Sequence, residues 1–220
     1  MKQGCTAEDW SRILVDEDFC SDYIYNVEFF GDIRLGHFRK EVEVAKGFTR
    51  HSGIRNATLR NVSVGNDCLI NNVGLINTTP DANFGEGKVI SVLNEVGNGN
   101  VMIFDGLNSQ LDALMVKYEA DKCFTDVIRT MIRNEISNHS SHITTIGNDV
   151  RICNTTEVSN CHISDGCTID GALRLKDCTL KSIPDARVTI GAGVICENSV
   201  IYDGSSITNN AKLENCFVGE

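Results

Sequence analysis

The sequence predicts an all-β dominated fold, a left-handed parallel β-helix in which short strands stack as hexapeptide-repeat coils. Aliphatic residues recur at intervals of six in three runs, which are Ile146, Ile152 and Val158, then Ile163, Ile169 and Leu175, and then Ile201, Ile207 and Leu213. Gly, Asn and Asp often follow the aliphatic residue, where a coil corner needs a tight turn with positive φ. One hexapeptide cannot bury its own apolar face, so such repeats must stack on their neighbours.

The first segment, residues 1–30, has no repeat and is predicted to cap the first coil. Residues 6–9 read Thr-Ala-Glu-Asp, the pattern of a capping box that opens a short helix through Trp10. Residues 23–30 alternate in polarity and predict a strand. The end of a stacked β-structure exposes unpaired backbone, which is why an atypical terminal element is expected there.

Residues 31–77 form a first and looser block of repeats. Its segment 64–70, VGNDCLI, parallels the segment 146–152, IGNDVRI, almost residue for residue. The sequence therefore predicts one architecture in two blocks, with a long segment between them.

An insertion is predicted over residues 78–141. A Gly- and Asn-rich turn at 95–100 lies between the apolar stretches 88–93 and 101–104, which predicts a β-hairpin. Apolar residues at helical spacing then predict two helices, through Leu107, Leu111, Leu114, Met115 and Tyr118, and through Phe124, Val127, Ile128, Met131 and Ile132. The apolar stripe of this pair packs either on its own chain or on a neighbouring subunit, and the sequence leaves both open.

The second block of repeats fills residues 142–220. The six-residue period breaks over residues 180–189, where Pro184 cannot donate to a sheet ladder, so we expect a loop extruded from a corner. Residues 213–220 still follow the repeat. We therefore expect either that the natural chain continues beyond them, so that the last block is truncated, or that another chain stacks there.

Charge and composition narrow the class of protein. The 220 residues carry 30 acidic and 20 basic side chains, a formal charge of −10, and the longest basic run is Arg39-Lys40. Nucleic acid is therefore a poor partner. The sequence has no signal-peptide layout and no long apolar run, which predicts a cytoplasmic protein without a membrane partner. Most of the ten cysteines are expected to be reduced core residues.

The hexapeptides resemble the acyltransferase superfamily typified by the lipid A UDP-N-acetylglucosamine acyltransferase. That resemblance implies a homotrimer, an acyl donor such as acyl-CoA and a sugar or nucleotide-sugar acceptor. More narrowly, five segments resemble the N-terminal part of long, uncharacterised hexapeptide-repeat proteins of Bacteroidetes. They are GCTAEDW at 4–10, GDIRLGHF at 31–38, RHSGIRNATLRN at 50–61, NHSSHITTIGN at 138–148 and LENCFVG at 213–219. This second resemblance implies a longer natural chain and supplies no reaction.

In that superfamily a histidine acts as general base, which suits an imidazole because its pKa lies near working pH. His51 and His139 are the catalytic candidates, since each precedes a serine just before a block of repeats. Ser52, Gly53 and Ser140 are the substrate-binding candidates, as a nest of amides and hydroxyls for an anionic group. The alternative is that both His-Ser pairs only bond to backbone carbonyls. No metal site is predicted, because His142 and His162 lack further ligands at suitable spacing.

Two functions stay open from the sequence. The chain is either an acyl-CoA-dependent transferase acting on sugars or nucleotide sugars, or a structural, oligomerising or binding solenoid without chemistry of its own. The acidic balance lacks the cluster of Lys and Arg that the 3′-phosphate of coenzyme A requires. We therefore expect the isolated chain to be silent toward acetyl-CoA.

Overall fold

The computed structural model describes residues 3–80, 82–91, 99–139 and 141–219. The described chain is mostly β-strand. The strands are β1 Thr6–Ala7, β2 Ile13–Val15, β3 Ile24–Leu35, β4 Glu41–Ala45, β5 Phe48–His51, β6 Gly53–Val64, β7 Leu69–Asn77, β8 Val89–Ser91, β9 Asn100–Met102, β10 Thr144–Ile146, β11 Arg151–Ile163, β12 Thr168–Asp170, β13 Arg174–Leu180, β14 Thr189–Ile190, β15 Ile195–Ile201, β16 Ser206–Ile207, β17 Lys212–Glu214 and β18 Phe217–Val218. The helices are α1 Ser109–Lys117 and α2 Lys122–His139.

Parallel pairing joins most of these strands into one sheet whose core is three columns of apolar residues in register. The first column is Leu35, Val64, Ile146, Ile163, Leu180, Ile201 and Val218. The second is Ile24, Ile54, Ile70, Ile152, Ile169, Ile190 and Ile207. The third is Phe29, Leu59, Ile76, Val158, Leu175, Cys196 and Leu213. We call one residue from each column, with the chain that joins them, a level.

The level is shorter than three strict hexapeptides. From Ile146 to Ile163, and from Ile163 to Leu180, the chain advances 17 residues. The next step, to Ile201, takes 21 residues because a loop over 181–188 leaves the sheet. The predicted loop around Pro184 is therefore confirmed.

The corners use the residues that the sequence indicates. Asn56, Asn72 and Asn154 have φ values of 52°, 54° and 51°, in the left-handed region that asparagine tolerates. Their side chains also form a ladder along one edge. Nδ2 of Asn26 donates to Oδ1 of Asn56 at 3.0 Å, Asn56 to Asn72 at 2.8 Å, and Asn72 to Asn154 at 3.3 Å. The ladder ties successive levels together.

Cysteines fill the interior as predicted. Six reduced cysteines are buried: Cys68, Cys153, Cys161, Cys167, Cys178 and Cys196. Burial raises the pKa of Cys68 to about 12, because the thiolate would lose its hydration. Such thiols behave as small apolar side chains.

The N-terminal segment differs from the predicted capping helix. Thr6 lies in β1, and Asp9 is the residue that caps a short 3-10 helix at Trp10–Arg12, where it accepts a hydrogen bond from the Ser11 amide. β1 and β2 then pair in parallel with β3. The segment therefore continues the stacked sheet as a further, partial level.

An antiparallel hairpin of β4 and β5 interrupts the first block, and we call residues 41–51 the arm. The sequence prediction missed it by reading these residues as loose repeats. Glu41–Ala45 alternates charged and apolar residues, and Lys46-Gly47 supplies a turn with φ of 76° at the glycine. That pattern indicates a hairpin.

The insertion contains the predicted hairpin and helix pair. β8 and β9 pair antiparallel, while most of the predicted turn, residues 95–98, lies outside the described residues. The apolar stripe packs on its own chain, in a cluster of Val101, Phe104, Leu107, Met115 and Ile132 that also contacts Phe217. Neither described helix is long and apolar enough to cross a membrane.

Candidate functional site

His51 ends the arm, and its imidazole ring is held in one orientation. The ring stacks on Tyr23 with 3.4 Å between ring centroids and 8° between planes. Nδ1 lies 2.9 Å from the carbonyl oxygen of Ser52. Because a carbonyl oxygen only accepts hydrogen bonds, the neutral ring carries its proton on Nδ1 and leaves Nε2 as an acceptor. This is the tautomer that a general base needs.

Ser52 and Gly53 shape the neck of the arm and do not form the predicted anion nest. The fully buried Ser52 donates its amide to the carbonyl of Lys40 at 2.8 Å, and its hydroxyl accepts from the amide of Lys40 at 3.2 Å. Gly53 donates its amide to the carbonyl of Cys68 at 2.7 Å. Both amides are therefore already paired. Gly53 also has φ of 142°, and a Cβ there would lie 2.3 Å from the carbonyl oxygen of Tyr23.

The second predicted pair lies at the end of α2. His139 is the last residue of that helix, but its side chain and Ser140 lie outside the described residues. Their catalytic and binding roles stay predictions.

Two arginines flank the neck, and the sequence prediction passed over both. Arg50 precedes His51 in β5, and Arg55 in β6 donates from Nη1 to the carbonyl oxygen of His51 at 3.1 Å. Both side chains are half-buried. Burial, followed by the charge of Arg50, lowers the pKa of Arg55. The segment RHSGIR, which drew attention to His51, carries both residues.

A polar groove of about 370 Å³ lies on the other side of the arm. It is lined by Lys40, Glu41, Val42, Glu43, Asp67, Asp149, Arg151, Thr168 and Arg187. Nζ of Lys40 lies 2.6 Å from Oδ1 of Asp149, and this hydrogen bond raises the pKa of Lys40. Arg151 bonds to Asp170 at 2.5 Å and to the carbonyl oxygen of Val44, in the arm, at 3.0 Å. These contacts latch the arm onto the sheet.

A smaller cleft of about 190 Å³ lies where the insertion meets the sheet. Its lining residues are Phe84, Glu86, Asp105, His162 and Thr179. Oδ1 of Asp105 accepts from Nζ of Lys181 at 2.6 Å and from the hydroxyl of Tyr202 at 3.1 Å. Burial raises the pKa of Tyr202 to about 12. His162 is exposed, as expected, but the sequence did not place it beside two carboxylates from the insertion.

The ligand types for a metal do not converge in the described ranges. Within residues 3–80, 82–91, 99–139 and 141–219, no set of three or more His, Cys, Asp or Glu side chains is placed to hold a metal ion.

Comparison with known proteins gives a family and a distant relative. The family model described as a domain of unknown function (DUF4954) matches residues 1–220. An uncharacterised protein of Treponema pallidum (strain Nichols) is 26% identical over 241 residues. The alignment covers 94% of the chain and 32% of that protein, so the chain spans about a third of the relative's length. No solved structure matches the chain.

Proposed function

The chain belongs to the DUF4954 family, a domain of unknown function, and from this premise we propose that it is a left-handed parallel β-helix that binds a sugar or nucleotide sugar beside the arm. In this proposal the chain is a rigid binding module of a longer protein and assembles as a homotrimer. The isolated chain binds its ligand without turning it over.

The hexapeptide β-helix is supported by the register of the sheet. Aliphatic residues that lie six apart in sequence, such as Ile152 and Val158, belong to neighbouring columns, and residues 17 apart belong to the same column. Asparagine in left-handed backbone at the corners is the turn chemistry that such a coil requires.

The observation that carries the binding function is the convergence of two excursions on one groove. The arm contributes Glu41, Val42 and Glu43, and the loop over 181–188 contributes Arg187 to the same cavity. Excursions from a repeat fold commonly gather on its binding face. Carboxylates, guanidiniums and the hydroxyl of Thr168 are groups that hydrogen-bond to sugar hydroxyls.

A transferase is the second candidate, because the tautomer of His51 favours it. Nε2 would take the proton of an acceptor hydroxyl or amine while that oxygen or nitrogen attacks the thioester carbonyl of acyl-CoA. Collapse of the tetrahedral intermediate would break the carbon–sulfur bond, and the departing thiolate would take the proton from the imidazolium. His139 is the alternative base that the sequence predicts.

One experiment separates the two candidates. The chain is incubated with acetyl-CoA and a panel of sugars and nucleotide sugars. Acetylated products are followed by mass spectrometry, because the ten cysteines would react with a thiol reagent. Binding of the same panel is measured by calorimetry. We expect binding by at least one sugar or nucleotide sugar and no acetylated product.

The variant His51→Ala is compared with His142→Ala, an exposed histidine outside the arm. Acetylated product that disappears only in His51→Ala would establish the transferase. Absence of binding across the panel would contradict the binding proposal.

A further inference from the structure

We propose that Arg50 and Arg55 form an anion site at the foot of the arm, and that its ligand is the phosphoryl group of a nucleotide sugar. This inference rests on the proposed binding of a sugar or nucleotide sugar beside the arm and names the charged part of that ligand. Arg55 is fixed by its hydrogen bond to the carbonyl of His51, and Arg50 adjoins His51 in β5.

The two arginines differ from all others that the structure describes. Four arginines have a carboxylate within hydrogen-bonding distance: Arg12, Arg39, Arg151 and Arg174. Five others are exposed to solvent: Arg34, Arg60, Arg129, Arg133 and Arg187. Arg50 and Arg55 are both half-buried, and neither has an ion pair with any described residue. A half-buried cation without a counter-charge loses hydration and gains nothing in return.

Their mutual repulsion sharpens the need for an anion. Among charged neighbours, Arg50 has a larger effect on Arg55 than the attractive Glu41 does. Glu41 faces His51 across the arm hairpin, so its carboxylate does not pair with either guanidinium. In a chain of net charge −10, this is a local excess of positive charge. A bound anion would offset both the lost hydration and the repulsion.

The geometry of the groups favours a phosphoryl ligand. A guanidinium presents parallel N–H donors that match two oxygens of a phosphoryl group, and two guanidiniums can hold two adjacent phosphoryl groups. Tyr25, half exposed and in register with Arg55, places a hydroxyl beside the pair. The imidazole of His51, with Nε2 as an acceptor, lies between the two arginines in sequence and faces the same neck.

The test uses the whole chain and four probes in calorimetry: inorganic phosphate, inorganic pyrophosphate, UDP-N-acetylglucosamine and uncharged N-acetylglucosamine. We expect pyrophosphate and the nucleotide sugar to bind, with an affinity that falls as salt rises. Arg50→Gln and Arg55→Gln are each expected to raise Kd about tenfold or more, the size of one lost charge-assisted hydrogen bond. The matched control Arg60→Gln, an exposed arginine of the same strand β6, should keep the wild-type Kd.

Each outcome separates the two proposals. If uncharged sugar binds and no phosphate-bearing probe does, the anion site is wrong and the proposed sugar binding stands. If pyrophosphate binds through both arginines but neither sugar-bearing probe binds, the anion site stands and the sugar-binding function is wrong. Wild-type Kd values in Arg50→Gln would overturn the anion site even if Arg55→Gln failed to fold, because Arg50 lies in the arm, outside the stacked sheet.

Discussion

At the scale of single residues, His51 could be selected from the sequence but its surroundings could not. The RHSG segment indicates a histidine at the entrance of a block, and the structure gives that histidine a defined tautomer. Its stacking partner Tyr23 lies 28 residues earlier. The arm lengthens this level, so that Ile24 pairs with Ile54, and a six-residue period does not predict that register. Ser52 and Gly53 were selected for their amides, which backbone carbonyls already occupy.

The corner asparagines give a stability prediction. Asn72 has φ of 54° and joins the ladder through Asn56 and Asn154. Asn72→Ala should lower the free energy of unfolding by about 1–3 kcal/mol, because alanine is strained in left-handed backbone and both ladder bonds are lost. Asn72→Gly keeps the backbone conformation and should lose less. Urea denaturation measures both variants, and equal losses would show that the backbone conformation contributes nothing.

At the scale of elements, the arm is held by polar contacts, which makes it the most separable part of the first block. Lys40 contacts Asp149 at 2.6 Å and Asp67 at 3.6 Å. These partners are distant in sequence and meet only because levels stack, so no local pattern could indicate them. The insertion illustrates the opposite case. Its hairpin and helices follow from local spacing, whereas its seat against Phe217 does not.

The latch gives a prediction about proteolysis. Lys40→Met removes the ion pairs of the arm foot, which are partly exposed and therefore contribute only about 0–1 kcal/mol to global stability. The arm should nevertheless open more often, so trypsin should cleave after Lys46, at the exposed turn, faster than in the wild type. The control Lys176→Met changes an exposed lysine of β13. Equal cleavage rates in both variants would argue against a latch.

At the scale of the whole molecule, the sequence period predicts stacking but not its details. Its six-residue runs correctly join columns such as Ile152, Ile169 and Ile190. The true level of 17 residues is one residue short of three hexapeptides, because left-handed corners remove residues from the count. Which surface meets a second copy is not written in the period, since every level presents similar outward faces.

The insertion gives a prediction about assembly. Thr144 donates its hydroxyl to the carbonyl of Asn77 at 3.0 Å, so the two ends of the insertion are neighbours. Deletion of residues 78–141 should therefore leave a β-rich, folded product. We expect its oligomeric mass to change, because α2 exposes Val127 and Met131 to solvent. Light scattering and circular dichroism test this, and an unchanged trimer mass would remove the insertion from the interface.

The route of the insertion also has a mechanical consequence. It leaves the sheet after Asn77, yet Phe84 accepts from Thr179, Asp105 pairs with Lys181 and Tyr202, and its apolar cluster reaches Phe217. A stack in which each layer touches only its neighbours unravels from either end with equal ease. Here a splint fastens the later layers to one another and leaves the first ones unbraced. Fraying should therefore begin at the N-terminal end and stop where the splint starts.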